Sequence, residues 1–188
     1  MRHGRILTCG MIAVLWGLGA VPARAQESPP PDPREAFEWH RKRAEDTTLP
    51  AGVRIEAYSK MAEIWIRTQD GLELHRMDLA PAEQALRKAL EIADLTPGES
   101  ATAWFNLGRF HQRQDRFEEA RAAYTKAMGI DPSPTGKNRA ARALASVCMS
   151  EGNVEEARAI YEQSGFDLLE LYSGAGLWDK AAELCEQR

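Results

Sequence analysis

Apolar and small residues recur every three or four positions from Trp104 to Ala127, in a segment that is otherwise rich in charged residues. This spacing puts them on one face of a helix. The pattern breaks near Gln114, so we predict two amphipathic helices joined by a turn. The face of the first helix consists of Trp104, Leu107, Gly108 and His111, and that of the second of Phe117, Ala120, Tyr124 and Ala127. Asp131 and Pro132 are predicted to end the second helix and to start a new one.

Small residues stand among the bulky ones on both faces. Glycine inside a helix costs up to about 1 kcal/mol relative to alanine, so Gly108 indicates a packing demand. Together with Ala120, it would allow the two helix backbones to approach each other closely. Each bulky side chain then has a hole opposite it on the facing helix. We therefore predict a helix-turn-helix unit that is shaped to stack.

The pattern of this unit recurs along the chain. An alanine that precedes a second bulky face is found at Ala85, Ala120, Ala157 and Ala181. The first two alanines are 35 residues apart and the next pair 37, and Pro97 and Pro132 are again 35 apart. Copies at such a period indicate supersecondary units that bury their faces against their neighbours.

A period of about 34 residues, a Trp-x-x-Leu-Gly start, a central alanine and a late proline resemble the tetratricopeptide repeat. The resemblance extends from about residue 51 to the end of the chain. The residues at motif positions are Trp104, Leu107, Gly108, Ala120, Tyr124, Ala127 and Pro132, and His111 replaces the usual tyrosine. The resemblance implies an all-α fold over residues 51–188, a helical-hairpin solenoid of three repeats plus a truncated terminal repeat.

The other units depart from this pattern. In the first unit, 20 residues separate Trp65 from the central alanine, whereas nine separate His111 from its alanine. We therefore expect an insertion of about one helical turn or more in the first repeat. The third unit opens with small residues, and the last lies only 24 residues after the third. The helices of the last unit should therefore be short.

The first 25 residues have the parts of a secretory signal peptide. A short basic start precedes an apolar run of 16 residues, and Ala23-Arg24-Ala25 offers small residues for cleavage. The run is shorter than the roughly 20 residues of a membrane-spanning helix, so we prefer cleavage after Ala25 to an uncleaved anchor. The mature protein is then periplasmic or secreted, without a membrane span. Because three arginines and no acidic residue are removed, its formal charge changes from −4 to −7.

Residues 26–50 are predicted to form a proline-rich tether followed by a helix. The sequence Ser-Pro-Pro-Pro-Asp-Pro favours an extended chain. Asp32 has the position of an N-cap and Pro33 that of the first helical residue, so a helix is predicted to about Asp46. Its apolar stripe consists of Phe37, His40 and Ala44. No cysteine or histidine lies at metal-ligand spacing from His40, so we interpret it as a packing or surface residue.

The sequence offers no constellation for catalysis, a cofactor or a metal. Its histidines are scattered, and it has no glycine-rich phosphate loop, nucleophile elbow or zinc-ligand spacing. Glu118-Glu119 and Glu155-Glu156 are adjacent on helices, where neighbours point about 100° apart. We interpret these pairs as solvated charges of a first helical turn. The acidic balance also disfavours a nucleic-acid partner, which a basic face would bind.

Two cysteines, Cys148 and Cys185, remain after cleavage. They fall on the opening helix of the third repeat and on the closing helix of the last. These helices are not neighbours in a right-handed stack, so the Cα atoms should lie beyond the roughly 7 Å that a disulfide can span. We therefore expect two free thiols.

In tetratricopeptide arrays, the opening helices of the repeats line a concave groove that takes a peptide. The resemblance therefore implies that the groove is formed by those side chains of the opening helices that do not pack inward. We assign to it Lys60, Phe105, Asn106, Arg109, Arg113, Arg139 and Arg142. The five cations among them suit an acidic partner or a free C-terminal carboxylate, which the arginine fork fits well.

One subclass of these domains grips the C-terminal carboxylate of chaperones with five residues. Asn106 and Arg139 occupy two of those positions. The other three are occupied by Ser59, Glu63 and Ala143, which depart from the pattern. With three of five residues replaced, we do not expect a chaperone clamp.

Two functions remain open. The first is a non-catalytic protein–protein interaction module or scaffold in the cell envelope, which binds a peptide or protein segment in the concave groove. The alternative is a self-assembling structural subunit that associates with other copies through the array ends. Exposed aromatic residues at the ends and a mass that rises with concentration would indicate the second. Peptide binding by a stable monomer would indicate the first.

Overall fold

The computed structural model describes residues 28–68 and 78–186, and these residues form nine α-helices without a strand. The helices are α1 (Pro33–Glu45), α2 (Ala51–Arg67), α3 (Ala80–Leu90), α4 (Pro97–Gln112), α5 (Phe117–Ile130), α6 (Pro134–Ser150), α7 (Val154–Gln163), α8 (Leu168–Gly174) and α9 (Trp178–Glu186). The predicted signal peptide lies outside the described residues.

Helix α1 begins and ends where the sequence predicts. Asp32 is its N-cap, and the Oδ1 atom of Asp32 accepts hydrogen bonds from the backbone N–H groups of Arg34, at 2.9 Å, and Glu35, at 3.0 Å. Asp46 is the C-cap. The buried residues of α1 are Ala36, His40 and Ala44. Helix α1 packs against α2, so it covers the end of the helical stack that comes first in the chain.

Polar caps fix the starts of α4 and α6. Thr96 and Glu99 form a capping box at α4, in which each side chain bonds to the backbone N–H of the other residue. At α6, the Ser133 hydroxyl accepts a hydrogen bond from the Gly136 N–H at 3.0 Å. Asp131 in turn accepts from the Ser133 N–H at 2.8 Å and from its hydroxyl at 2.7 Å. The predicted end of α5 at Asp131 is confirmed, and the next helix starts three residues later.

The helices pack as four hairpins, α2–α3, α4–α5, α6–α7 and α8–α9. Each of the closing helices α3, α5 and α7 also packs against the next opening helix, and α2, α4 and α6 contact one another in order. The hairpins therefore stack as a solenoid with opening helices along one face. The last hairpin is short, since its helices have seven and nine residues. The predicted all-α solenoid of three repeats plus a truncated terminal repeat is confirmed.

The connection between α2 and α3 is longer than the one between α4 and α5. It runs from residue 68 to 79, against 113 to 116, which confirms the expected insertion in the first repeat. Trp65 anchors the far end, because its indole Nε1 donates a hydrogen bond to the Asp78 carbonyl oxygen at 2.7 Å. Residues 69–77 lie outside the described part of the chain.

Gly108 is the hole into which Tyr124 packs. A Cβ atom at Gly108 would lie 2.8 Å from both Cδ1 and Cε1 of the Tyr124 ring. Tyr124 is fully buried, and its hydroxyl donates a hydrogen bond to Gln112 Oε1 at 2.8 Å. The close approach of α4 and α5 thus requires glycine at this position, as the sequence pattern predicts.

The buried core extends along the stack from one repeat into the next. One cluster joins Phe105 of α4, Tyr124 of α5 and Leu144 of α6. The following cluster joins Cys148 of α6 and Tyr161 of α7 to α8. Each cluster therefore combines a hairpin with the opening helix after it, so every repeat depends on its neighbour for burial.

The thiols of Cys148 and Cys185 are both free in the structure. Cys148 is fully buried on α6, and the Arg121 Nη1 atom donates a hydrogen bond to its Sγ atom at 3.1 Å. Burial raises the pKa of the Cys148 thiol above its usual range. Cys185 is exposed on α9. The two cysteines thus belong to different surroundings as well as to different repeats.

Candidate functional site

A groove runs between α2 and α4 on the face formed by the opening helices. Its residues from α2 are Ser59, Ala62, Glu63 and Ile66, and those from α4 and its C-cap are Asn106, Arg109, Phe110 and Arg113. We call this set the α2–α4 groove. The alanine and the phenylalanine are buried and form an apolar floor, while the polar side chains stand along the walls.

Asn106 crosses the groove and is held by the neighbouring repeat. Its Nδ2 atom donates a hydrogen bond to Ser59 Oγ at 2.8 Å, and the Ser59 hydroxyl donates to the Ile55 carbonyl oxygen at 2.9 Å. This chain fixes the amide in one orientation. Among the described residues, none donates a hydrogen bond to the side-chain oxygen Oδ1 of Asn106. The amide can therefore accept a hydrogen bond from a ligand backbone.

Glu63 pairs with two of the predicted groove cations. Its carboxylate oxygens lie 2.9 Å from Lys60 Nζ and 3.3 Å from Arg109 Nη2. Burial alone would raise the pKa of Glu63, but the hydrogen bond from Lys60 and the nearby positive charges outweigh it, and the pKa is lowered. Because both cations are almost half exposed, these ion pairs contribute little stability and can exchange for a ligand carboxylate.

Arg113 carries the least compensated charge of the groove. It is exposed, and it forms no ion pair within 4.0 Å with any residue of the described ranges. It stands at the C-cap of α4, beyond Arg109 along the same wall. A ligand carboxylate at this end of the groove would therefore meet an unpaired guanidinium.

The two predicted cations of α6 lie beside aromatic rings. The guanidinium carbon of Arg139 is 4.3 Å from the centre of the Phe105 ring. Arg142 pairs with Glu170 of α8, and its guanidinium carbon is 4.6 Å from the centre of the Phe166 ring. The contacts with these rings hold both side chains against the solenoid, while their guanidinium groups stay accessible to solvent. These cations extend the positive surface from α4 to α6.

Phe105 lies under this surface and is not part of it. Only 9% of Phe105 is exposed, and its ring packs against Tyr124 with 5.3 Å between the ring centres. Sequence reasoning places Phe105 among the groove side chains, but the structure places Arg139 over it. A ligand would therefore meet the guanidinium of Arg139 before it met the ring.

The groove continues past Ser59 and Asn106 toward the N-terminal ends of α2 and α4. This continuation is lined by Gly52, Ile55, Glu56, Lys60, Thr96, Glu99 and Thr102, among others. Glu99 belongs to the capping box, and the hydrogen bonds from Thr96 lower its pKa. Sequence reasoning missed Glu56 and Glu99 as groove residues, although Glu56 is one helical turn before Lys60. The groove is thus acidic at one end and basic at the other.

Residues 28–68 and 78–186 hold no group of three histidine, cysteine or acidic side chains placed to bind a metal ion. His40 and His111 are separately buried, on α1 and α4. Nor does any helix in the described part of the chain combine the length and apolar composition needed to cross a membrane. The site assembled by the opening helices is suited to hydrogen bonding and charge pairing.

Helical hairpins stacked in this way, with opening helices along a groove, define a solenoid of the tetratricopeptide type. Two tetratricopeptide-repeat family models match the sequence, one over residues 71–133 and the other over residues 113–167. The chain therefore contains tetratricopeptide repeats, which are typical of proteins that bind other proteins and are usually not catalytic.

A solved structure titled "Crystal structure of MamA protein" is similar to this chain, with a TM-score of 0.49 and 23% sequence identity. The similarity covers 70% of this chain and 62% of that one. This chain thus spans somewhat less than two thirds of that structure. No curated protein matches the sequence.

Proposed function

We propose that this protein is a non-catalytic interaction module or scaffold of the cell envelope that binds a protein segment in the α2–α4 groove. The observation that carries the proposal is the guanidinium of Arg113, which forms no ion pair with any described residue and lies on the same wall as an amide, Asn106, that is fixed by the neighbouring repeat. A fixed amide and an accessible cation are the groups needed to hold the backbone and the carboxylate of a peptide.

The charges along the groove favour one orientation of the ligand. Arg109 and Arg113 lie at the end nearer the helix C-termini, whereas Glu56 and Glu99 lie at the other end. An acidic segment, or a free C-terminal carboxylate, would therefore sit beside the arginines. Positive charge on the ligand would point toward the glutamates. This arrangement rejects the reversed ligand by like-charge repulsion.

The proposed location rests on the sequence of residues 1–25. A basic start, an apolar run and a small-residue cleavage site favour export, with cleavage after Ala25. The protein would then work in the periplasm or outside the cell. Detection of the mature N-terminus at Gln26 in an envelope fraction would support this, and an intact N-terminus in the cytoplasm would contradict it.

The alternative function is a self-assembling structural subunit that associates through the array ends. One observation favours it: Trp178, in the last hairpin, is 67% exposed. Sedimentation at increasing concentration separates the two functions. A mass that stays at the monomer value would contradict self-assembly.

A pull-down from envelope extract tests the proposed groove. The bait is the mature protein, compared with the triple variant Asn106→Ala, Arg109→Ala and Arg139→Ala. The triple variant should lose most of the captured protein, because it lacks the amide and one cation of the α2–α4 groove and one cation of the adjoining positive surface on α6. The matched control is Gln84→Ala, Lys88→Ala and Arg158→Ala, three exposed residues of closing helices, which removes one amide and two cations elsewhere.

The control variant should capture as much protein as the wild type. Equal capture by both triple variants would show that the groove does not hold the partner. Because none of the substituted side chains is buried, thermal melts of both variants should resemble that of the wild type.

A further inference from the structure

The α2–α4 groove holds a carboxylate of its own among the cations that would receive a ligand. Each oxygen of Glu63 meets a different cation: Oε2 lies 2.9 Å from Lys60 Nζ, and Oε1 lies 3.3 Å from Arg109 Nη2. The side chain of Glu63 is 28% exposed, so it lies in the wall of the groove and still faces the space between the helices. Glu63 thus occupies the place at which a ligand carboxylate would meet Arg109.

The polar residues of the groove follow one another at three levels along the helices. Ser59 is hydrogen-bonded to Asn106 at the first level, Glu63 is paired with Arg109 at the second, and Arg113 stands at the third. One helical turn, or four residues, rises about 6 Å, which about two residues of an extended peptide can span. A ligand whose terminal carboxylate reaches Arg113 therefore brings its last residue but one to the level of Glu63.

Glu63 remains negatively charged whenever a ligand carboxylate is charged. Burial acts to raise its pKa, but the hydrogen bond from Lys60 and the surrounding positive charges outweigh burial and lower it. A second ligand carboxylate at this level would be repelled by Glu63 and would have to displace it from Arg109. The carboxylate at Arg113 meets no such competitor, because Arg113 forms no ion pair with any described residue.

The charge of Glu63 has a larger effect on a ligand than its hydrogen bond to Arg109 has on the position of that side chain. The 3.3 Å distance is long for a charge-assisted hydrogen bond, and the Arg109 side chain is 44% exposed. Such a pair holds a long side chain only weakly. Repulsion between two carboxylates, in contrast, needs no particular geometry. We therefore treat Glu63 as a competitor of the ligand.

A similar pair occurs farther along the face of the opening helices. Arg142 of α6 is paired with Glu170 of α8, and both side chains are about half exposed. As with Glu63 and Arg109, a glutamate of one opening helix compensates an arginine of an adjacent one. Neither residue lines the α2–α4 groove. Glu170 is therefore a matched control for Glu63.

We propose that Glu63 makes the α2–α4 groove selective for segments that present one carboxylate, the free C-terminus, with an uncharged residue before the last. Runs of acidic side chains would be disfavoured, because their second carboxylate would compete with Glu63. This inference rests on the proposed function, since it requires that a C-terminal segment binds beside Arg113. It narrows the ligands from acidic segments in general to C-terminal ones.

Two peptides of ten residues test the inference. Both have a free C-terminus, an uncharged dye at the N-terminus and uncharged side chains, except that the last residue but one is glutamate in the first and glutamine in the second. Fluorescence anisotropy measures their affinities for residues 26–188. The wild type should bind both peptides equally within about twofold. Glu63→Gln keeps the shape of the side chain and should bind the glutamate peptide about three- to tenfold more tightly than the glutamine peptide.

Glu170→Gln should behave like the wild type in this assay, because it removes a similar carboxylate outside the groove. All variants should melt like the wild type, since the substituted side chains are not buried. Equal preferences in the wild type and Glu63→Gln would overturn the inference, and so would the same gain in Glu170→Gln. Weaker binding of both peptides by Glu63→Gln would also overturn it, because Glu63 would then hold Arg109 for the ligand.

Arg113→Glu separates this inference from the proposed function. It should weaken the binding of both peptides about tenfold. If it does so while Glu63→Gln changes nothing, the groove binds the C-terminus but Glu63 does not select it. Affinities that do not depend on Arg113 would reject the groove as the binding site and the selectivity with it.

Discussion

Tyr124 shows how closely single residues determine this stack. Its ring fills the space left by Gly108, and its hydroxyl bonds to Gln112, so the side chain is fixed at both ends. Burial raises the pKa of Tyr124 to about 12, and the hydroxyl therefore stays protonated at physiological pH. Neither ring nor hydroxyl can move without disturbing the contact between α4 and α5.

Gly108→Ala should therefore destabilise the protein by about 1–3 kcal/mol. Alanine usually stabilises a helix relative to glycine by up to about 1 kcal/mol, but the new Cβ would lie 2.8 Å from a ring that cannot yield. Leucine at position 108 should destabilise the protein more than alanine does. Urea denaturation followed by circular dichroism measures the free energy of unfolding.

Gly129→Ala is the matched control for this substitution. Gly129 lies near the end of α5, and a Cβ there would have nothing within 4 Å. Gly129→Ala should leave the free energy of unfolding unchanged or raise it by up to about 1 kcal/mol. If Gly108→Ala is as stable as Gly129→Ala, the assignment of Gly108 as the hole for Tyr124 is wrong.

Among the helices, the junction of α3, α4 and α5 holds a titratable group in its interior. His111 of α4 is 3% exposed, and its Nδ1 atom has no hydrogen-bond partner in the described structure. Burial lowers the pKa of His111, and the charge of Arg116 lowers it further, while Glu83 and Glu119 act in the opposite direction. His40 between α1 and α2 is buried in a similar way.

The stability of the stack should fall as the pH decreases below about 6.5, the ordinary pKa of histidine. Each histidine binds its proton more readily in the unfolded chain than in the native one, so protonation favours unfolding. The loss continues until the pH reaches the lowered native pKa, at no more than about 1.4 kcal/mol per pH unit for each histidine. Urea denaturation at several pH values measures it.

His111→Phe should make this dependence shallower between pH 7 and 5. The contribution of His40 should remain. Loss of the stabilising ion pairs of Glu63 and Glu83, whose pKa values are lowered, should begin only at more acidic pH. An unchanged pH dependence in His111→Phe would mean that the imidazole is not held neutral by burial.

The elements could largely be predicted from the sequence because their signals are local. The cap at Asp32, the glycine at 108 and the alanines repeated at a fixed period each act within a few residues or one hairpin. The helix order and the truncation of the last repeat follow from them. The signal peptide and the domain boundaries remain predictions.

The groove could be predicted only in part because its surface depends on contacts between repeats. Nothing local shows that Arg139, 34 residues after Phe105, covers the phenylalanine ring. The pairing of Glu63 with Arg109 likewise joins two repeats. A periodic pattern indicates which face a residue lies on, but not which side chain of the next repeat lies over it. The assignment of the ligand-binding residues stays a prediction.

At the scale of the whole molecule, the stack places a polarised groove on an acidic protein. The full chain has a formal charge of −4, yet the opening helices bring Arg109, Arg113 and Arg139 to one face. Local positive charge on an acidic background attracts acidic segments. Binding that depends on this face should weaken as salt screens it.

The most direct test of this account is the affinity of a ten-residue acidic peptide with a free C-terminus, measured by fluorescence anisotropy with residues 26–188. Arg113→Glu should weaken binding about tenfold or more, and amidation of the peptide or added salt should also weaken it. Lys88→Glu, the same charge reversal on the exposed side of α3, should change the affinity little. Equal affinities for the wild type, Arg113→Glu and Lys88→Glu would contradict the assignment of the α2–α4 groove as the binding site.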